Sequence, residues 1–403
     1  MNPSASKNIT IFFVGTLLVL IIIVGFVGYR FYQNIEKNQT ISSLPTETVI
    51  TRPSETIDAL YQKYLNSINI DESLSGDILV TTLKKTDQLE TISLDIGSVP
   101  ALDTFKYDLE TKSFKTWLDS TVVDYPIYHP DQEKNLNSTI FVARPTKVDS
   151  NGMQILNPGI FLFKDQSVLE VSIPESVSET LSYRARLPKL SPQGDRFLYN
   201  VQAWDSSEEE TSFTDTDSWD IVIGSLSGES YEKFADGYGG QWIEADEQLY
   251  VMFIDAGGLK IKQYIPNTDH ETTQEFLLVS EAYQYGLRNQ FSISSDGTYF
   301  VTSYPVHPSR GNSSVDIYEL TLGESSEPSA SLVHRIGLSQ GDSGFWPLFS
   351  PDDRYVSMQV LSSKTSGNSM KIYDMVTKSF KEDIPFNDFV FDISFNTDWV
   401  IEN

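Results

Sequence analysis

The sequence predicts an all-β fold, a β-propeller of four-stranded blades, and three observations predict it. After Ser75 nearly every segment alternates Val, Ile, Tyr, Phe and Thr between clusters of Gly, Pro, Asp and Ser, the pattern of short strands and tight turns. One stretch occurs twice in nearly the same form, YDLETKSFK from Tyr107 and YDMVTKSFK from Tyr373, each a strand, a turn and a returning strand. A second element, a turn followed by an alternating strand, recurs as LSPQGDRFLYNVQ from Leu190, ISSDGTYFVTSY from Ile293 and FSPDDRYVSMQV from Phe349.

Each element has a local cause. Proline presets φ at the second turn position, and Asp with Gly or Asp supplies the reversal and any left-handed residue. Degenerate copies begin at Ile127 (IYHPD), Ile243 (IEADEQLYVMFI) and Ser394 (SFNTDWVIEN), so the turn returns roughly every 45–63 residues. Weaker hairpins follow at Ile223 (IGSLSGESY) and Tyr318 (YELTLGESS). A β-sandwich does not return one turn and one hairpin so often. Six blades are expected. The C-terminal pair FVFDISFNTDWVIEN would share a blade with the N-terminal hairpin FKYDLETKSFKTWL, and a hairpin in ILVTTLKKTDQLETISLDI would make seven.

The motif S-P-x-[GD]-[DR]-[RY] with its following strand resembles the repeat of TolB-like and WD-repeat-like bacterial β-propellers, over about Ser75 to Asn403. The Trp-Asp ending of true WD repeats is missing from the comparable strands, which favours the TolB-like side. The resemblance implies a fold and leaves function to the site.

The N-terminal part is of another kind. Ile9–Tyr29 carries no charge and is long enough to cross a bilayer as a helix. It outruns a signal-peptide core, and no small-residue cleavage site follows, so an uncleaved anchor is expected. Lys7 on one side nearly balances Arg30 and Lys37 on the other. The short leading tail and acidic C-terminal bulk then place the large domain outside the cell membrane. The expected organisation is a cytoplasmic tail over 1–7, a transmembrane signal anchor over 8–33, a Ser/Thr/Asn-rich linker over 34–52, an amphipathic helix over 53–70 and the propeller over 75–403. In the helix Ile57, Leu60, Tyr61, Tyr64, Leu65 and Ile68 form one apolar stripe, with Ser54 as N-cap. Such a stripe packs on the following domain or on another copy near the membrane.

Composition excludes several functions. A formal charge of −27 repels phosphate backbones, so nucleic acid is not an expected partner. Without cysteine there is no disulfide, thiolate nucleophile or Cys-based metal site. Residues 341–344 read G-D-S-G, as around a protease serine, but His129, His270, His307 and His334 lie in no matching context, so Ser343 reads as a loop residue entering a blade. The acidic stretch with Glu208, Glu209, Glu210, Asp215 and Asp217 lacks the glycine and distal Glu of a calcium loop and reads as solvated. No nucleotide, zinc-protease or hydrolase motif is present, and no cofactor is expected.

Binding is expected on one face. In a propeller the connections between blades share a face with the second-to-third-strand loops. Those loops are long here at 145–158, 204–218, 304–314 and 362–369. Segments entering the inner strands bring Arg184, Arg186, Tyr238, Trp242, Arg288 and Trp346 towards the central mouth. Arg and aromatic groups there suit a carboxylate, sugar or peptide, although such residues commonly pack blades together. The expected function is a membrane-anchored interaction module for a protein or cell-wall partner, without catalysis. The alternative is a hydrolase or lyase acting on a glycan or peptide at the channel mouth.

Overall fold

The structure is a computed structural model. It describes residues 56–68, 77–83, 92–94, 97–99, 102–116, 127–133, 138–143, 146–148, 154–156, 159–171, 186–202, 219–280, 291–304, 313–362, 367–385 and 397–400, apart from 166, 229, 256, 269, 324 and 325. Helix α1 (Ile57–Ser67) comes first. Then follow β1 (Asp77–Leu83), β2 (Ile92–Leu94), β3 (Gly97–Val99), β4 (Leu102–Asp108), β5 (Ser113–Thr116), β6 (Ile127–Glu133), β7 (Ser138–Ala143), β8 (Thr146–Val148) and β9 (Gln154–Leu156). The middle holds β10 (Gly159–Lys164), β11 (Ser167–Val171), β12 (Arg186–Leu190), β13 (Arg196–Gln202), β14 (Trp219–Ser225), β15 (Tyr231–Asp236), β16 (Tyr238–Ala245), β17 (Gln248–Asp255), β18 (Gly258–Tyr264) and β19 (Glu275–Val279). The remainder is β20 (Phe291–Ile293), β21 (Tyr299–Tyr304), β22 (Ser314–Gly323), β23 (Ser326–Gly337), β24 (Asp342–Phe349), β25 (Tyr355–Ser362), β26 (Gly367–Asp374), β27 (Ser379–Pro385) and β28 (Thr397–Val400).

Five four-stranded antiparallel sheets are each made from one continuous stretch of chain: β6-β7-β10-β11, β12 to β15, β16 to β19, β20 to β23 and β24 to β27, here sheets 2 to 6. One more, sheet 1, is composite and runs β28-β1-β4-β5. The inner strands β28, β6, β12, β16, β20 and β24 each touch the next and close a ring, so the fold is a β-propeller. Closure differs from expectation. Among the described residues the C-terminus gives one strand and the N-terminus three, because β1 supplies the second strand expected from the C-terminal pair. The segment expected to add a seventh blade instead divides between β1 and the two-stranded hairpin β2–β3.

The repeated turns have the chemistry their sequences imply. Ser191, Ser294 and Ser350 each accept at the carbonyl from the residue three further on, Gly194, Gly297 and Asp353. Those three have φ of 69°, 74° and 59°, so the position demands a left-handed residue and Asp substitutes for Gly once. The serine hydroxyl accepts from the amide five residues on: Arg196 (3.2 Å), Tyr299 (2.8 Å) and Tyr355 (2.8 Å). The twin hairpins also match. Asp108 accepts from the amides of Glu110 and Thr111, and Asp374 from that of Val376. Lys112 and Lys378 take the left-handed position at φ 52° and 51°. Hydrogen bonds from Lys115 and Thr111 hold the Asp108 carboxyl well below the usual carboxylate range.

Helix α1 is capped by Thr56, whose Oγ1 accepts from Ala59 at 3.3 Å, two residues beyond the expected Ser54. Leu60, Tyr61, Tyr64 and Ile68 are buried and Leu65 partly so, whereas Ile57, also on the expected stripe, is 53 % exposed. The buried face packs on Tyr299, Ile317 and Val333 of sheet 5 and on Val356 and Met375 of sheet 6. Tyr61 and Tyr64 donate to the carbonyls of Met375 and Asp353, both in tight turns of sheet 6, and Lys63 pairs with Glu319. No helix among the described residues is long and apolar enough to cross a membrane. The expected span Ile9–Tyr29 lies outside them, as do the tail and linker.

The Asp353 carboxylate also accepts from the amide and hydroxyl of Ser295, at 2.9 and 2.6 Å, tying the first turn of sheet 6 to that of sheet 5. Asp353→Ala removes this charge-assisted pair and places Ala at a left-handed φ, so a loss of about 2–4 kcal/mol is expected in denaturant unfolding. Asp353→Asn, which tolerates the backbone and keeps one acceptor, should lose less than half of that.

Candidate functional site

Antiparallel four-stranded topology puts the second-to-third-strand connections and the sheet-to-sheet connections on one face. The second-to-third connections are residues 84–101, 144–158, 203–218, 256–257, 305–313 and 363–366. Two of them carry hairpins of their own, β2–β3 and β8–β9. The opposite face has tight turns such as 191–195, 246–247, 294–298 and 350–354, with 265–274 the longer exception. Elaboration is therefore concentrated on one face.

At the mouth of that face the inner strands share one irregularity. Register shifts between Tyr128 and Asp131 in β6, Arg186 and Lys189 in β12, Tyr238 and Gln241 in β16, and Phe345 and Leu348 in β24. Each is a bulge of the same kind at an equivalent position. Leu187, Gly239 and Trp346, the second residues of three of these segments, have φ of 51°, 72° and 45°. Pro130, Pro188 and Pro347 occupy the third place in three of the four, where no ladder donor is required. The bulge turns the strand start and fixes where the following side chains go.

The six expected contact residues divide into three groups. Arg184 and Arg288 lie outside the described residues, and Arg186 opens β12 opposite Asn200. Tyr238, Trp242 and Trp346 are 5 %, 9 % and 8 % exposed. Tyr238 meets the Trp219 ring edge-on at 5.1 Å beside Leu187. Trp242 donates from Nε1 to the Lys189 carbonyl at 3.2 Å and packs on Tyr264 at 5.4 Å. Trp346 packs with Phe345, Tyr355 and Met370. These three aromatic groups are packed into the cores rather than left open to a partner.

A polar residue not expected from sequence organises the same region. Asn200 donates from Nδ2 to the Gly237 carbonyl (3.1 Å) and accepts at Oδ1 from the Gly239 amide (3.0 Å), fixing the passage from sheet 3 to sheet 4. Gly237 has φ 147°, and a Cβ there would lie 2.7 Å from the Ile254 carbonyl oxygen. The available signal was the polar residue within the apolar run of β13, repeated as Ser303 in β21 and Gln359 in β25.

The protease-like motif also resolves. Ser343 lies within β24, opposite Leu361, rather than in a loop before it. His334 Nε2 instead faces Tyr373 at 3.2 Å, and His270 Nε2 is 3.3 Å from Glu232. The acidic stretch 208–217 lies outside the described residues. Among the described residues no three His, Asp or Glu side chains converge as metal ligands.

No protein-family model matches the chain, and no curated protein matches it either. Solved structures do. The nidogen/laminin complex aligns at TM-score 0.43 and 11 % identity over 80 % of this chain and 98 % of that one. A protein described as TolB from Agrobacterium tumefaciens aligns at 0.42 and 10 %, over 77 % and 89 %. The periplasmic gluconolactonase of Pseudomonas aeruginosa aligns at 0.41 and 12 %, over 76 % and 82 %.

Packing makes a direct prediction for the buried aromatics. Trp242→Ala should cost about 3–5 kcal/mol of stability, read as a large drop in thermal midpoint, since it empties a filled volume and orphans the Lys189 carbonyl. Trp242→Phe should recover more than half of that loss.

Proposed function

We propose that this chain is a membrane-anchored, extracytoplasmic β-propeller acting as a non-catalytic interaction module. It binds a protein or cell-envelope partner through the face bearing the long connections. The observation that carries the reading is the asymmetry between the faces. Long connections belong to one rim, while the other carries tight turns and, at sheets 5 and 6, α1. Loops held at fixed spacing by a rigid ring present several contact points without ordering cost in the scaffold. The anchor rests on the uncharged run Ile9–Tyr29, whose length fits a bilayer and whose position leaves the whole propeller on one side. Of the expected contact residues, Arg184, Arg186 and Arg288 remain candidates for a carboxylate- or sugar-bearing partner.

The test is affinity recovery of partners from solubilised cell envelopes with the purified full-length chain as bait. Replacing 203–218 and 305–313 by Gly/Ser segments of equal length should reduce recovery of the specific partner at least tenfold, with the thermal midpoint held within a few degrees. Leu277→Ser, on the outer strand β19, should leave recovery intact. Binding that survives both loop replacements, or an absent partner together with turnover of a glycan or peptide library, would overturn the reading.

A further inference from the structure

The contact between α1 and the propeller includes a half-buried titratable group, His334 of β23. The His334 ring lies 4.8 Å from the Tyr61 ring of α1 and 5.9 Å from the Tyr373 ring of β26. Its Nε2 meets the Tyr373 hydroxyl at 3.2 Å. The His334 side chain is half-buried, with the Tyr61 ring of the helix against it. We propose that α1 is an acid-releasable clasp: protonation of His334 undocks the helix from sheets 5 and 6 while the ring of sheets persists.

The surrounding charges favour release. From α1 itself comes Lys63, engaged with Glu319 of β22. From β22 comes Asp316, fully buried and held by Arg335 of β23 in a two-pronged contact, so its charge is already matched. From β26 come Tyr373 and Asp374, the latter held by Arg354 and near Lys381. The turn after β26 contributes Lys378, whose Nζ stands 4.0 Å over the Tyr61 ring. A protonated imidazole would therefore share Tyr61 with an ammonium and have a phenol as its hydrogen-bond partner. Burial, then Lys378, push the pKa of His334 down to about 4, against a weaker upward pull from Asp316.

The sign follows from linkage. The docked form has the depressed pKa and the undocked form the ordinary one, about 6.5. Docking is then fully supported above the ordinary value and weakens as pH falls from about 6.5 to about 4. Water still reaches part of the ring, so the loosening expected is on the order of tenfold rather than the full shift.

Hydrogen exchange of the full-length chain between pH 7 and 4.5, corrected for intrinsic rates, tests this directly. Protection of 59–67 should fall about tenfold towards pH 4.5 while that of β17 and β25 stays constant. In His334→Gln the acid-dependent fall should disappear. Lys378→Met, which removes the neighbouring cation, should make it shallower and guards against a His334 variant that fails to fold. Protection of α1 that is constant or rises in acid, that falls equally in His334→Gln, or that falls together with β17 and β25 would overturn the proposal.

Discussion

The inner strands of sheets 2 to 6 are chained to one another by hydrogen bonds that cross from sheet to sheet, and the spacing of those sheets depends on that chain. Asp131 of sheet 2 accepts from Lys189 Nζ at 2.7 Å and from the Leu190 amide at 3.2 Å in sheet 3. The Lys189 carbonyl accepts from Trp242 in sheet 4. Gln241 of sheet 4 donates to the Phe291 carbonyl of sheet 5, and Ser292 accepts from the Phe349 amide of sheet 6. Non-directional apolar packing between sheets leaves their azimuthal spacing soft. Directional bonds at one level of the inner strands fix it. In β6, β12, β16 and β24 they fall in or beside the bulges, where a bulge frees side chains and carbonyls from the ladder to reach the next sheet.

What the sequence made legible was the part governed by short-range rules. The three Ser-x-x-[GD] turns and the twin Asp-x-x-Thr-Lys-Ser hairpins take the same bonds and the same left-handed residue wherever they recur, since three to six residues decide them. The helix stripe was equally local, although its cap fell two residues late. Closure was less legible. Whether β1 or a second C-terminal strand sits beside β28 depends on pairing between segments hundreds of residues apart, and both candidates alternate alike.

The site was legible in outline and misread in detail. Long second-to-third connections can be counted from sequence, so the elaborated face could be chosen. The fate of Tyr238, Trp242 and Trp346 could not, because a bulge with Leu187, Gly239 or Trp346 in the left-handed region reverses the alternation that assigns side chains to faces. A bulky residue at positive φ has no sequence signature of its own. The Pro in the third place of the bulge (Pro130, Pro188, Pro347) is the nearest mark, and it reports a missing donor rather than a direction.

Two structural closures draw on the N-terminal region. Strands β1, β4 and β5 complete sheet 1 around β28, and α1 bridges sheets 5 and 6 through contacts such as Tyr64 with Asp353 and Tyr61 with Met375. Contacts of such sequence separation require the intervening sheets to be in place before they repay the cost of loop closure. The five sequence-continuous sheets can form hairpin by hairpin, so both closures are expected late in assembly and early in opening. The two are not equivalent, however. Pairing of β28 on β1 completes the ring, whereas α1 lies outside it and is held by side-chain hydroxyls, the Lys63–Glu319 ion pair and an apolar face. The ring therefore does not require α1 for continuity, and α1 can be the least stable part of the domain without putting the spacing of the loops on the elaborated face at risk.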